Sequence, residues 1–156
     1  MRVYLAQHGL AEDQSVDPTR SLSAQGREGV ARIAGFLSLF EKPRPARILH
    51  SGKLRAEQTA VMFAEGWGDL TVESALDLEP NADPAIWSAH LTAINDDVML
   101  VGHLPHLQRL AGLLLADDGE REVIRFRNGG VVCLERGEQG WSICWHLNPT
   151  LFYGED

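Results

Sequence analysis

Long apolar runs, cysteines at metal or redox spacing, and an excess of positive charge are all missing from this sequence of 156 residues. Each absence excludes something. No apolar stretch approaches the roughly 20 residues needed to span a bilayer. The N-terminus has no extended apolar signal segment, because Gln7-His8 interrupts it early. The expected address is therefore the cytoplasm, with no membrane partner. Acidic residues outnumber basic ones by 22 to 14, for a net charge of −8. Non-specific nucleic-acid binding needs a basic surface, so no nucleic-acid partner is expected. The same field repels anionic ligands, and any phosphate site has to be locally basic against it. The two cysteines, Cys133 and Cys144, match no zinc or thiol-redox motif. They flank Gly137-Glu138-Gln139-Gly140 symmetrically, so a hairpin there predicts two cross-strand thiols, reduced and buried. No repeat, low-complexity tract or linker divides the chain, and its length suits one domain over residues 1–156.

What is present is ordinary globular composition, 44% hydrophobic and 23% charged, arranged as strands alternating with helices. Val3, Tyr4 and Leu5 form a short apolar run that stops at Gln7-His8-Gly9, as a buried strand does when it delivers a side chain to its carboxyl end. Residues 11–19 are polar and carry Pro18, so they read as a loop. Ser23 is a helix cap, and Val30, Ile33, Ala34, Leu37 and Phe40 mark one helical face ended by Pro43 and Pro45. Residues 47–51 read as a second strand. Residues 53–65 read as a helix whose Ala56, Ala60 and Ala64 suit close packing on a sheet. A short strand at 70–73 and a helix opened by Asp83-Pro84 follow, the latter with Trp87, Leu91 and Ile94 on one face. Val98-Met99-Leu100-Val101 is the clearest buried strand and ends in Gly102-His103. Pro105 opens a helix bearing Leu107, Leu110, Ala111 and Leu114. Residues 131–135 and 141–147 read as a hairpin with Val132, Leu134, Ile143 and Trp145 on its core side. The expected class is α/β: a three-layer α/β/α arrangement with a mostly parallel sheet and an antiparallel portion near the C-terminus.

In open α/β sheets, ligand sites lie at the carboxyl ends of the strands. Two strands here end alike, at His8 and at His103. A third junction, Ser51-Gly52-Lys53-Leu54-Arg55, puts an arginine in the first turn of a helix, a favourable place for a phosphate or sulfate.

Four segments carry a family resemblance: Gln7-His8-Gly9; Arg20-Ser21-Leu22-Ser23 with Gly26; Ser51 with Leu54-Arg55-Ala56-Glu57-Gln58-Thr59; and Gly102-His103-Leu104-Pro105. In this order and spacing the chain resembles the histidine phosphatase superfamily, with its phosphoglycerate mutase-like fold, and in particular the small SixA-type phosphohistidine phosphatases. The resemblance implies that His8 is the phosphoryl acceptor. It implies that Arg55 stabilises charge on the phosphoryl oxygens, and that His103 adds a hydrogen bond or positive charge. Gln7, Gly9, Arg20 and Ser51 are the implied phosphate-binding residues, and no cofactor or metal is implied. Asp77 and Glu79 are the positions from which a general acid could serve a phosphate ester. A phosphohistidine needs less such help, because imidazole is a better leaving group. The implied partner is thus a phosphohistidine-bearing protein, with a small phosphate ester as the alternative substrate.

Gln7 departs from the family, which has arginine before the histidine. Glutamine donates hydrogen bonds but has no charge and no guanidinium fork. The loss of one such donor costs about 2.7–4 kcal/mol of transition-state stabilisation, so a phosphate-binding protein without turnover is a third expectation. Removing a cation also makes His8 more basic than it would be beside arginine. Other residues read as structural. His103 and His106 have a spacing seen in metal sites but lack a third ligand. His50, His90, Asp96-Asp97 and Asp117-Asp118 read as structural or solvated groups, and Trp67, Trp87, Trp141 and Trp145 as core or rim. Arg121, Arg125 and Arg127 read as an exposed strand face or a substrate flank.

Overall fold

The computed structural model describes residues 1–40, 44–68 and 70–153. Six strands form one mixed sheet: β1 (Arg2–Gln7), β2 (Arg47–His50), β3 (Thr71–Ser74), β4 (Val98–Gly102), β5 (Val131–Gly137) and β6 (Gly140–Leu147). Their spatial order is β3-β2-β4-β1-β5-β6. The first four are mutually parallel and the last two antiparallel, which is the expected α/β class.

The period-two alternation of the central strands explains the three layers. Met99 and Val101, with Tyr4, Ala6 and Ile48, face the helices α1 (Ala24–Phe40) and α2 (Leu54–Gly66). Val98 and Leu100, with Val3, Leu5 and Leu49, face α3 (Pro84–Ala93) and α4 (His106–Ala116). A strand covered on both faces must be apolar at every position, and β4 is. A short helix, α5 (Thr150–Tyr153), follows β6.

Local signals set the helix starts. The Ser23 hydroxyl accepts from Gly26 N at 3.0 Å, and Asp83 accepts from Ala85 N at 2.9 Å. Gly26 has a second reason to be glycine: a Cβ there would lie 2.0 Å from Leu10 O. Ala56, Ala60 and Ala64 of α2 are buried as expected, whereas Phe40 is exposed beyond the buried face of α1. Pro43 lies outside the described residues. The second strand and the helix after it divide differently from the expectation, since Ser51 lies beyond β2 and Lys53 precedes α2 as its cap.

The hairpin forms, but in another register. Cys133 pairs with Trp145 and Leu134 with Ile143, so Cys144 is the extra residue of a bulge. The two thiols are therefore not opposite one another: Cys133 is buried and Cys144 exposed. The bulge also flips the downstream faces. Val132 and Leu134 join the α3/α4 side, Trp145 packs on the α1/α2 side, and Ile143 is 49% exposed. A centred turn could not reveal that extra residue.

Candidate active site

Three strand ends and one loop converge at the carboxyl edge of the parallel strands. His8 follows β1 directly, and its backbone is clamped from both sides. Its N–H donates to Gly102 O at 3.1 Å, and its carbonyl accepts from Asn128 Nδ2 at 3.0 Å and Gly129 N at 3.1 Å. Its Nδ1 lies 2.7 Å from Gly9 O. A carbonyl can only accept, so Nδ1 carries the proton and Nε2 keeps the lone pair. Arg55 donates toward that lone pair through Nε at 3.3 Å. Burial, chiefly, lowers the His8 pKa to about 4, against the pull of the Gly9 carbonyl and with the help of Arg55 and Arg20. His8 is thus neutral at pH 7. The loss of a cation at position 7 does not leave it basic.

His103 emerges from β4 beside it, with ring centroids 4.9 Å apart. Its Nε2 lies 2.6 Å from the buried Ser51 hydroxyl, which comes from the end of β2. Burial first, then the positive fields of His8, Arg55 and Lys53, lower its pKa to about 3. It too is neutral at pH 7. Arg55 stands in the first turn of α2, and burial followed by the charge of Arg20 lowers its pKa. A guanidinium is protonated regardless. The pocket is therefore a patch of local positive charge on a chain of net charge −8, as a phosphate site on such a chain requires.

Arg20 reaches this patch from the loop between β1 and α1, and its charge acts on both His8 and Arg55. Gln7, opposite Gly102 in the ladder, uses its backbone N–H and carbonyl on Gly130 and Gly129. Its Oε1 is buried and finds no partner among the described residues. Gly9 is packed so closely that a Cβ would lie 2.8 Å from Val30 Cγ2, and its N–H is taken by Thr59 Oγ1 at 3.0 Å.

Asp77 and Glu79 sit on the turn after β3, where Leu78 O approaches Gly102. Their negative fields fall on His106, led by Glu79, while burial lowers that histidine's pKa. His106 is fully buried with both ring nitrogens unpartnered among the described residues. No three His, Cys, Asp or Glu side chains stand together as a metal site among the described residues. Elsewhere His50 is buried and accepts from Gly52 N at 3.1 Å, and His90 lies against Trp87 at the surface. Asp97 does more than meet solvent, since it accepts from Arg2 N at 2.6 Å. Arg121, Arg125 and Arg127 are exposed. Two residues that position the site, Asn128 and Gly129, escape sequence reading, and Thr59 reads only as part of the third motif. The Asn128-Gly129-Gly130 turn signal was there to find, and Gly129 has φ of 76°.

No family model and no curated protein matches this chain by sequence. Solved structures do match. The fold is the phosphoglycerate mutase-like α/β/α fold of the histidine phosphatases. The chain is similar to the protein histidine phosphatase SixA complexed with tungstate, at a TM-score of 0.82 and 25% identity over 97% of this chain and 99% of that one. It is also similar to the candidate phosphohistidine phosphatase SixA of Agrobacterium tumefaciens, at a TM-score of 0.77 and 24% identity over 95% and 97%. A candidate α-ribazole-5′-phosphate phosphatase of Escherichia coli matches at a TM-score of 0.74 and 17% identity over 95% and 96%. Histidine phosphatases are thus what this chain resembles as a structure, SixA among them.

Proposed function

We propose that this chain is a phosphohistidine phosphatase, acting as one domain over residues 1–156 on a phosphohistidine-bearing protein. One observation carries the reading: a neutral His8 whose Nδ1 is tied to Gly9 O and whose Nε2 lone pair meets Arg55. In the first step Nε2 attacks phosphorus and the bond from phosphorus to the substrate nitrogen breaks. The leaving ring, protonated at its other nitrogen, departs as neutral imidazole. Phosphorylated His8 then carries an imidazolium, whose Nδ1–H strengthens its bond to the Gly9 carbonyl. In the second step water attacks phosphorus, the electron pair returns to Nε2, and the proton passes to solvent. Arg55 follows the non-bridging oxygens through both steps. His103, held by Ser51, lines the same space, with Arg20 and Gln7 at its flank.

Asp77 and Glu79 bear on His106, and the groups acting electrostatically on His8 are cationic. This favours a substrate whose leaving group needs little protonation, N–P over O–P. The test is turnover of a phosphohistidine-bearing domain beside a generic phosphate ester, in wild type and in Asp77→Asn and Glu79→Gln. The expected result is faster release from the N–P substrate, with both variants near wild type. Preferential turnover of the ester, lost in either variant, would transfer the reading to a small phosphate ester. Gln7 favours one further reading, a phosphate-binding module without turnover, since its neutral amide stands where the family has a cation. Release of phosphate by the wild type would eliminate it.

A further inference from the structure

The loop that presents Arg20 is built around one carboxylate, Asp17. Asp17 Oδ1 accepts from Thr19 N at 2.9 Å and Thr19 Oγ1 at 2.7 Å. Oδ2 accepts from Ser21 N at 3.0 Å and from the Ser21 hydroxyl at 2.5 Å. Arg20 lies between these two residues. Its own N–H donates to the Asp17 carbonyl at 2.9 Å, and its φ is 52°. An L-residue with a long side chain adopts that left-handed conformation only when its surroundings impose it. On the far side of the turn, Arg20 Nε donates to Glu12 O at 3.3 Å, Glu12 N donates to Ser21 O, and Leu22 N donates to Gln58 Oε1 at 2.8 Å. Gln58 stands three residues after Arg55 on α2, so the loop is fastened to the same helix face that brings Arg55 to His8.

We infer that Asp17 is a positioning residue, which holds Arg20 in its left-handed conformation so that the guanidinium faces the oxyanion of the ligand. The inference rests on the reading above, in which Arg20 borders a phosphoryl pocket. The sign of the effect on anion binding distinguishes this role from a purely electrostatic one. A carboxylate near an anion pocket opposes anion binding through its field alone, so its removal should tighten binding. A carboxylate that aims Arg20 has the opposite effect, and its removal should loosen binding. Four hydrogen bonds hold the Asp17 pKa well below the usual carboxylate value, chiefly those from the Ser21 and Thr19 side chains, so the anchor is charged at any working pH.

The experiment is a double-mutant cycle on the full chain, read as the Kd for tungstate by calorimetry. Asp17→Ala and Arg20→Ala are each expected to weaken binding about tenfold, the size of one lost charge-assisted hydrogen bond. The double variant is expected to bind no more weakly than Arg20→Ala alone. Tighter or unchanged binding in Asp17→Ala overturns the inference, as do multiplicative effects in the double variant or an Arg20→Ala with wild-type affinity. The same cycle with Asp17→Asn, which keeps one acceptor oxygen, serves if Asp17→Ala does not fold. There the loss is expected to be smaller and again absent in the Arg20→Ala background. Failure of the catalytic reading looks different: tungstate binding with the expected coupling, but no phosphorylated His8.

Discussion

In the parallel half of the sheet, β1, β2 and β4 end at Gln7, His50 and Gly102, and the next residues are His8, Ser51 and His103. In the antiparallel half, β5 and β6 end in a tight turn at one end and a short helix at the other, and β6 leaves Ile143 and Cys144 exposed. The halves share one ladder yet differ in how many polar groups they leave unsatisfied at their ends. Among the described residues, Gln7, His103 and His106 keep buried polar atoms without partners at or just beyond the parallel strand ends, whereas only Asn148 does so just beyond β6 and Trp67 Nε1 lies apart at the end of α2. Such atoms are costly unless something meets them, and they gather where a ligand can. The hairpin contributes to the site through the turn before it, where Asn128 and Gly129 hold the His8 carbonyl. Parallel strands aim side chains at one edge, and antiparallel strands brace them.

Catalytic variants should widen that contrast most. His8→Ala is expected to lower turnover of a phosphohistidine domain by roughly 10⁴-fold or more, as loss of a nucleophile does, and Arg55→Ala by about 10²–10³. Steady-state phosphate release measures both, with Ile143→Ala near wild type as the hairpin control. Stability should follow the same division on a smaller scale. Leu100→Ala, at the centre of β4, is expected to cost about 2–5 kcal/mol by urea unfolding. Ile143→Ala, at 49% exposure, should stay within roughly 0.5 kcal/mol. Equal losses would contradict the burial contrast between the centre of β4 and the exposed face of β6.

The two histidines give the contrast a pH signature. Their folded pKa values, about 4 for His8 and about 3 for His103, lie below the unfolded value of 6.5. The unfolded chain therefore binds more protons in that interval. This contribution to stability is complete above pH 6.5 and is lost as pH falls toward 4 and then 3. Urea midpoints should drop over that range, and the His8 ring resonances should titrate near pH 4 in NMR spectra. Titration of His8 near 6.5 would contradict its burial. Within α1, two glycines are expected to respond in opposite senses. Gly26→Ala forces a Cβ against Leu10 O and should destabilise by about 1–3 kcal/mol. Gly35→Ala meets nothing within 4 Å and should stabilise by about 0.4–1 kcal/mol.

The parallel half was also the more legible in the sequence. An unbroken apolar run such as Val98–Val101 has one economical meaning in an α/β pattern, and the polar residue that stops it marks the strand's carboxyl end. His8, Arg55 and His103 could be grouped that way before any coordinates. The hairpin was legible as a hairpin but not in register, because nothing in Ile143-Cys144-Trp145 marks the bulged residue. The bonds by which residues act on the site across the fold were hidden for a related reason. Thr59 matters through a bond to Gly9, and Asn128 through a bond to His8 O, contacts made over 50 and 120 positions of sequence. Asp17 lay inside a segment that reads only as a polar loop.

Mass-spectrometric mapping of a trapped, acid-labile phosphoenzyme would test the central claim most directly. Wild-type protein is incubated briefly with a phosphohistidine-bearing domain and quenched in alkali. Phosphate is expected on His8, at Nε2, and none in His8→Ala. A wild-type protein that carries no label while Gln7→Arg acquires it at His8, or a His8→Ala variant that still turns over substrate, would contradict His8 as the phosphoryl acceptor of an active phosphatase.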